Sequence, residues 1–426
     1  MMEWLKQLKK AFEFSFLWLI WLINYFTQVR HAQGIHNVAS STSSTYLNGN
    51  IRKPHKANQA AWQAMNRLRQ QHGQVGLDQF QLLYPVGSGS IGTVYACKIK
   101  KHVSEEFPDD CIYAMKVVDR EALKANTKNR VNSEKEILRM VDHPFLPTLY
   151  AEFDVSHYSC FVMEYCPRGD LHHTVINRQP AFVLSMPSAK FYAAEVLLAL
   201  EYLHAMGIIH RDLKPGNVLV QEDGHIMLSD FDLSFKCDVD PKLLYYDSQP
   251  EVTDKIMNKS MSCFSSVLSH KYKEKKMKIK QVHMVDSGIE FWAEPITFHS
   301  SSFVGTHEYM APEMISGLGH GSEVDWWAFG VFLFELLYGK TPFKGKNRKT
   351  TLKNILMQPL MFPEAKQYRD QEKKNANDLI RQLLVKNPKK RMGSFWGAVE
   401  IKKHVFFRGV EWSLIRSVKP PIKRSL

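Results

Sequence analysis

From Phe80 onward, short apolar runs rich in Tyr, Val and Ile alternate with turns: FQLLYPV, GTVYACKIK, CIYAMKVVD and CFVMEY. This pattern predicts a strand-rich small lobe over 80–166. Further on the period becomes helical, in SAKFYAAEVLLALEYLHAMG, DWWAFGVFLFELLYG and NDLIRQLLVKN, which predicts a helical large lobe over 167–407. The expected class is α+β, with two lobes and a cleft between them. Ahead of the strands, residues 57–79 place Ala61, Trp62, Met65 and Leu68 on one helical stripe, with Gly73 as its stop. That helix is expected to pack on the lobes C-terminal to it. Residues 31–56, with many Ser, Thr, Asn and Gly, read as a flexible linker.

The first 30 residues hold FSFLWLIWLINYF at 14–26, preceded by Lys6, Lys9 and Lys10. The run is apolar all round, which does not suit an exposed helix. It is shorter than the about 20 residues of a membrane span. The lysines favour a cytoplasmic N-terminus, so a full span would put the lobes outside. A non-spanning membrane attachment is the preferred expectation, with a docking helix or cleaved signal as alternatives.

The chain has 426 residues, 44% hydrophobic and 23% charged. These ordinary globular values exclude a disordered, collagen-like or multi-span membrane protein. The formal charge of +13 points to phosphate-bearing partners only where it is concentrated. The six cysteines show no CxxC pair and no metal spacing, as expected of free thiols in a reducing compartment.

Four motifs carry the chemistry. Val86 leads into Gly87-Ser88-Gly89-Ser90-Ile91-Gly92, followed by Thr93-Val94. Glycines let a backbone approach phosphates closely. A dinucleotide-binding turn would need a helix after them, and here the flanks are both strand-like. Next, Lys116 lies on an apolar strand beside Ala114, where a buried ammonium needs an acid partner. Glu134 and Glu136 follow on the next helix. The third motif is His210-Arg211-Asp212-Leu213-Lys214-Pro215-Gly216-Asn217, and the fourth is Asp230-Phe231-Asp232. Between the last two, VLVQEDGHIMLS predicts a hairpin turning at Asp223-Gly224, which would bring Asn217 and Asp230 together. Two oxygen ligands beside a triphosphate suit Mg²⁺. Asp212 can accept a hydroxyl proton, and Lys214 can neutralise charge on a moving phosphoryl group.

In this order the motifs resemble the eukaryotic protein kinase family from about Phe80 to Phe407. HPFLPTLY, SFVGTHEYMAPE, DWWAFG and TPFKG are similar to its AGC group of Ser/Thr kinases. DFD in place of DFG, a long insertion before APE, and KPHKAN at 53–58 resemble the plant AGC VIII branch, which includes regulators of auxin transport. The resemblance implies ATP and Mg²⁺ as cofactors. Gly87, Gly89 and Gly92 would cover the phosphates, and Val94, Ala114 and Leu219 would sandwich the adenine. Glu164, after the gatekeeper Met163, would accept from its amino group. Lys116 would hold the α- and β-phosphates, oriented by Glu134. Asp212 would be the catalytic base, with Asn217 and Asp230 on the metal.

By the same resemblance Ser302 is the activation-loop phosphosite, clamped by Arg211 and Arg130. Thr306 would favour a Ser or Thr acceptor. Glu313 and Arg391 would pair, and Asp325 would tie down the catalytic loop. Asp170 and Glu335 would read basic residues before the target. Gly216 replaces the acid usual at its position, which implies weaker selection for Arg two residues before the target. Asp232 stands where the family has a glycine, and Asp tolerates left-handed backbone better than most residues. Rival readings are a catalytically silent scaffold of the same fold and a polybasic lipid- or nucleic-acid-binding protein.

The insertion, 237–300, contains KYKEKKMKIK at 271–280, with six lysines and one glutamate. A polybasic segment near an anionic leaflet gains about 1 kcal/mol per basic residue, so anionic lipids are the expected partner and nucleic acid the weaker option. A monomer, cytoplasmic and peripheral at the plasma membrane, acting on protein substrates under an upstream kinase, completes the expectation. The short tail, 408–426, lacks the FxxF motif that braces the small lobe of many AGC kinases. The 57–72 helix is expected to cover that groove.

Overall fold

Alternation along β3, Tyr113–Asp119, sends Tyr113 and Met115 to one face and Lys116 and Val118 to the other. In the computed structural model this strand is central in a five-stranded antiparallel sheet. Its companions are β1 (Phe80–Ser88), β2 (Thr93–Ile99), β4 (Leu149–Val155) and β5 (Tyr158–Glu164), in the order β1-β2-β3-β5-β4. The structure describes residues 53–89, 91–100, 111–176, 183–239, 242–245, 289–292, 295, 304–363 and 370–421. The apolar segment 14–26, the polybasic run 271–280 and Ser302 lie outside them.

One sheet face is covered by α1, Ala60–His72. Its stripe buries Trp62, Met65 and Leu68 against Phe80, Cys97, Tyr113, Met115, Tyr150, Cys160 and Val162. Burying each such side chain is worth about 1.5–3 kcal/mol. Tyr113 donates its hydroxyl to the Ala61 carbonyl at 2.9 Å. The helix stops at Gly73, whose φ of 71° suits a residue without a Cβ. The expected helix is therefore present and packed. It was also expected to cover the groove beside the next helix, α2 (Ala125–Met140). Among the described residues its fully buried apolar partners lie on the sheet, and the C-terminal end of α2 is reached instead by Lys53, seven positions before the start of α1. The linker 31–56 is corrected at its end: Pro54–Lys56 form a 3₁₀ turn, and Lys53 and Lys56 are both buried.

The other sheet face, α2 and the large lobe share a second core, from Val118, Val131 and Phe161 through to Trp326 and Phe406. Its centre is α3 (Met186–Ala205) and α5 (Glu323–Tyr338). Both are apolar nearly all round, as buried helices are. At Gly330 a Cβ would come 2.8 Å from the Cβ of Leu383, so glycine lets α5 pack close to α7, Gln371–Leu383. The remaining helices are α4 (Pro312–Ser316), α6 (Arg348–Met357) and α8 (Gly397–Lys402). Two short ribbons complete this lobe: β6 (Ile208–Ile209) with β9 (Phe235–Lys236), and β7 (Val218–Val220) with β8 (Ile226–Leu228). The β7–β8 ribbon is the expected hairpin, with Gly224 at φ 96° in its loop.

The tail after Phe407 does not run free. The Trp412 ring packs tilted against Phe407, centroids 5.2 Å apart, Ile415 is buried, and Arg416 pairs with Asp223 at 2.6 Å. The insertion contributes a separate unit, 241–292, whose described part is an antiparallel ribbon of β10 (Lys242–Tyr245) and β11 (Ile289–Trp292). No helix of the described residues is long and apolar enough to cross a membrane.

Candidate active site

The β1–β2 loop turns back on itself, with the Gly89 N–H donating to the Gly92 carbonyl at 2.9 Å. Gly87, Ser88 and Gly89 are exposed, as is Val86. Gly92 is a steric requirement: a Cβ there would sit 2.4 Å from the Val117 carbonyl oxygen of β3. Ile91, expected with the phosphate loop, instead buries its side chain in the second core. Ser90 lies outside the described residues. Pairing places Val94 opposite Lys116 and Ala114 opposite Met163. Leu219 lies on β7, bridged to Asp170. The residues expected around an adenine thus come from both lobes.

On the sheet's inner face, Lys116 donates to both oxygens of Glu134, at 2.7 and 2.8 Å. Glu134 is buried on α2 whereas Glu136 is exposed, which settles the two candidates. Lys116 also lies 3.8 Å from Asp230. Burial presses the Lys116 ammonium down, but Glu134, Asp230 and Asp232 outweigh it and hold it above its ordinary range. Asp230 moves up, chiefly through burial; Lys116 opposes this, and Asp232 and Asp212 add to it. A half-enclosed cluster of carboxylates with one lysine suits a further cation. The Asn217 amide N–H₂ donates to Asp212, to its carbonyl at 2.8 Å and its Oδ2 at 3.0 Å. Its side-chain oxygen is therefore the atom left to a metal. Hard oxygen donors of this kind fit Mg²⁺.

Asp212 is held from several sides. Its Oδ1 accepts from the Thr306 N–H at 2.8 Å and hydroxyl at 2.9 Å. Its Oδ2 accepts from Lys214 at 2.7 Å, and Lys214 also donates to the Thr306 hydroxyl at 2.8 Å. The loop beneath rests on Asp325, fully buried, which accepts from the backbone N–H groups of His210 and Arg211 at 2.8 Å each. Burial presses the Asp325 carboxyl up, but contacts from His204, His210 and Arg211 outweigh it and lower it overall. This anchoring accompanies non-glycine residues in left-handed backbone: Arg211 at φ 66° and Asp230 at φ 70°. Such conformations cost on the order of 1–3 kcal/mol each and gather at functional sites. Asp232 is not among the positive-φ residues, so the aspartate that replaces glycine needs no left-handed conformation here.

Arg211 and Arg130 are close enough to feel each other's charge. Burial pushes Arg211 down to about 10; Asp325 pulls it back up and Arg130 adds to the lowering. Glu335 accepts from the Tyr309 hydroxyl and is pushed up to about 7, by burial first and then by Glu308, with Lys344 opposing. Asp170 accepts from His173, through its backbone N–H at 2.8 Å and its ring at 2.7 Å. Glu313 takes a two-pronged bond from Arg391 at 2.6 and 2.9 Å. The Glu164 carboxylate is paired with Lys56 at 2.8 Å. An adenine contact from this residue must therefore use its main chain. Sequence reasoning missed Lys53, His55 and Lys56 as neighbours of the cleft. KPHKAN was the only signal for them, and it says nothing of what they touch.

Residues 80–254 and 274–407 match the family described as the protein kinase domain. The chain is 48% identical over 461 residues to protein kinase PINOID 2 of Arabidopsis thaliana, covering 94% of this chain and 86% of the relative. It is 49% identical over 406 residues to protein kinase PINOID 2 of Oryza sativa subsp. japonica, covering 87% and 82%. A serine/threonine-protein kinase of Arabidopsis thaliana is 49% identical over 399 residues, covering 89% and 76%. The chain therefore belongs to the protein kinase family, as a serine/threonine kinase of the plant AGC group.

Proposed function

We propose that this kinase transfers the γ-phosphoryl group of ATP, with Mg²⁺, to Ser or Thr of protein substrates that carry basic residues before the target, at an anionic membrane surface. The observation that carries the reading is Lys116, locked to Glu134 and 3.8 Å from Asp230 across the cleft. Lys116 would hold phosphate oxygens, and Asn217 and Asp230 would hold the metal. When bound there, Mg²⁺ would supply positive charge to offset that of the phosphates. Asp212 would orient the acceptor hydroxyl and take its proton. Lys214, already bridging Asp212 and Thr306, would hold positive charge beside the transferred group. In a loose transition state, positioning and charge do most of the work.

Activation through Ser302 is supported by Arg211 and Arg130, whose mutual repulsion a phosphate would relieve. Selection for basic residues is supported by Asp170 and Glu335. At Gly216 an added Cβ would meet nothing closer than 3.9 Å, so the missing acid has room but no side chain. Recognition by Glu335 carries a pH signature. Its carboxyl is raised to about 7. It therefore binds a proton below that pH and becomes an anion above it. The KM of a peptide with Arg two residues before the target should fall several-fold from pH 6 to pH 8, relative to an alanine-matched peptide. A ratio constant across that range, with or without phosphatase treatment of the enzyme, removes Glu335 from recognition. For stability the sign is opposite. The folded state holds the extra proton between about 4.5 and 7, and that contribution is lost as pH rises through 7.

Membrane attachment, in signalling such as auxin transport, is supported by the charge of 271–280 and the apolar 14–26 run. Two weak signals together give stable anchoring. Neutralising the six lysines should reduce flotation with phosphatidylserine vesicles; undiminished flotation discards the lipid reading.

A further inference from the structure

Three basic side chains in four residues, Lys53, His55 and Lys56, are turned inward at the edge of the cleft. Lys53 is 2% exposed. Its ammonium donates to the carbonyls of Leu138 at 3.4 Å, Arg139 at 3.3 Å, and Val141. These belong to the C-terminal end of α2. The last carbonyls of a helix lack partners within it, and the negative end of the helix dipole favours a cation there. Burial pushes the Lys53 ammonium down to about 8, while Asp142 pulls it back up. Next along the chain, the His55 ring lies 2.5 Å from the Asp142 carboxylate. Lys56, also 2% exposed, reaches the Glu164 carboxylate at 2.8 Å. Glu164 ends β5, where the small lobe passes into the large one. Residues 53–56 thus tie the end of the helix that carries Glu134 to the strand end expected beside the adenine. The chain then continues into α1, which anchors the segment on the opposite sheet face.

Bare packing does not ask for this arrangement. Apolar residues of similar size would fill the same space without desolvating two ammonium groups. The charges supply direction instead: each fixes one end of an element that the reaction uses. Pairing with Lys56 also holds the Glu164 carboxylate, leaving the main chain of that residue for a base.

We propose that Lys53 and Lys56 are positioning residues for phosphoryl transfer. Through them residues 53–56 act as a strap that sets Glu134 against Lys116 and fixes the hinge strand for the nucleotide. The strap rests on the kinase reading, which the parent chain's own transfer rate tests separately.

The experiment uses the full chain and its Lys53→Met, Lys56→Met and Lys56→Arg variants, measuring kcat, KM for ATP, KM for peptide and thermal midpoint. Loss of one charge-assisted hydrogen bond corresponds to about tenfold or more. Lys56→Met should raise KM for ATP by about that factor, with KM for peptide unchanged. Lys56→Arg should restore it to within about twofold. Lys53→Met should lower kcat about tenfold. Hydrogen exchange of the α2 amides, read by mass spectrometry, supplies a measure independent of activity. It should quicken in both Met variants relative to α5 amides. Kinetic constants within twofold of the parent in both Met variants overturn the proposal, even where the midpoint falls, because the strap is then only structural. Where a Met variant fails to fold, Glu164→Gln replaces Lys56→Met. It must then raise KM for ATP with α2 exchange quickened, and a value unchanged in either measurement overturns the strap.

Discussion

Asp212→Asn should lower kcat by about 10²–10⁴, the usual contribution of a positioned acid or base. The substitution keeps the side-chain volume and removes the ability to take a proton. Asp212 contacts Lys214, Thr306 and Asn217, all as donors. An amide can present only one oxygen to them, so local rearrangement accompanies the loss. The proposed nucleotide grip lies elsewhere, at Lys116, Glu134 and Asp230. KM for ATP should therefore stay within about twofold. Transfer to a peptide at saturating ATP is the measurement. A rate within tenfold of the parent would show that Asp212 has no acid–base role.

The second large effect is on stability. Arg391→Ala should cost about 3–5 kcal/mol, because it leaves the buried Glu313 carboxylate without its cation. Arg391 is 1% exposed and Glu313 4%. The guanidinium also donates to the carbonyls of Val385 at 3.1 Å and Glu323 at 2.7 Å, so it joins α4, α5 and the loop after α7. It lies 5.1 Å over the Trp327 ring. Lysine cannot reproduce the two-pronged bond, and Arg391→Lys should recover only part of the loss. Replacing both partners, Glu313→Met with Arg391→Met, should be milder than Arg391→Ala, since no buried charge is then left unpaired. Urea unfolding of the full chain reads the difference. A double variant less stable than Arg391→Ala would mean that the backbone bonds of Arg391, not its ion pair, dominate.

Much of the site was legible because its motifs are local. The spacing of HRDLKPGN, of DFD and of the glycine loop names the residues, and the hairpin between Asn217 and Asp230 is short enough to read from its turn. The small-lobe sheet and α1 were legible for the same reason: a period of 2 or of 3.6 is visible within ten residues. Other features depend on chain closure over long separations. The Lys56–Glu164 bond spans 108 positions, the Lys53 caps 85 to 88, and the hold of Asp325 on His210 and Arg211 more than 110. Neither a period nor a spacing marks such pairs.

The amino-acid sequence by itself determined the two lobes, the proposed catalytic set and the position of the stripe on α1, since each depends on residue type and near neighbours. Lys116 meets Glu134, as the family resemblance implied, whereas tertiary structure alone decided that Ile91 turns into the core. It also decided that Glu164 turns its acid to Lys56, and that residues 53–56 and 412–416 lie against the lobes. The reason is burial: whether a charge is solvated or must find a partner depends on which segments fold over it, and those segments lie far away along the chain.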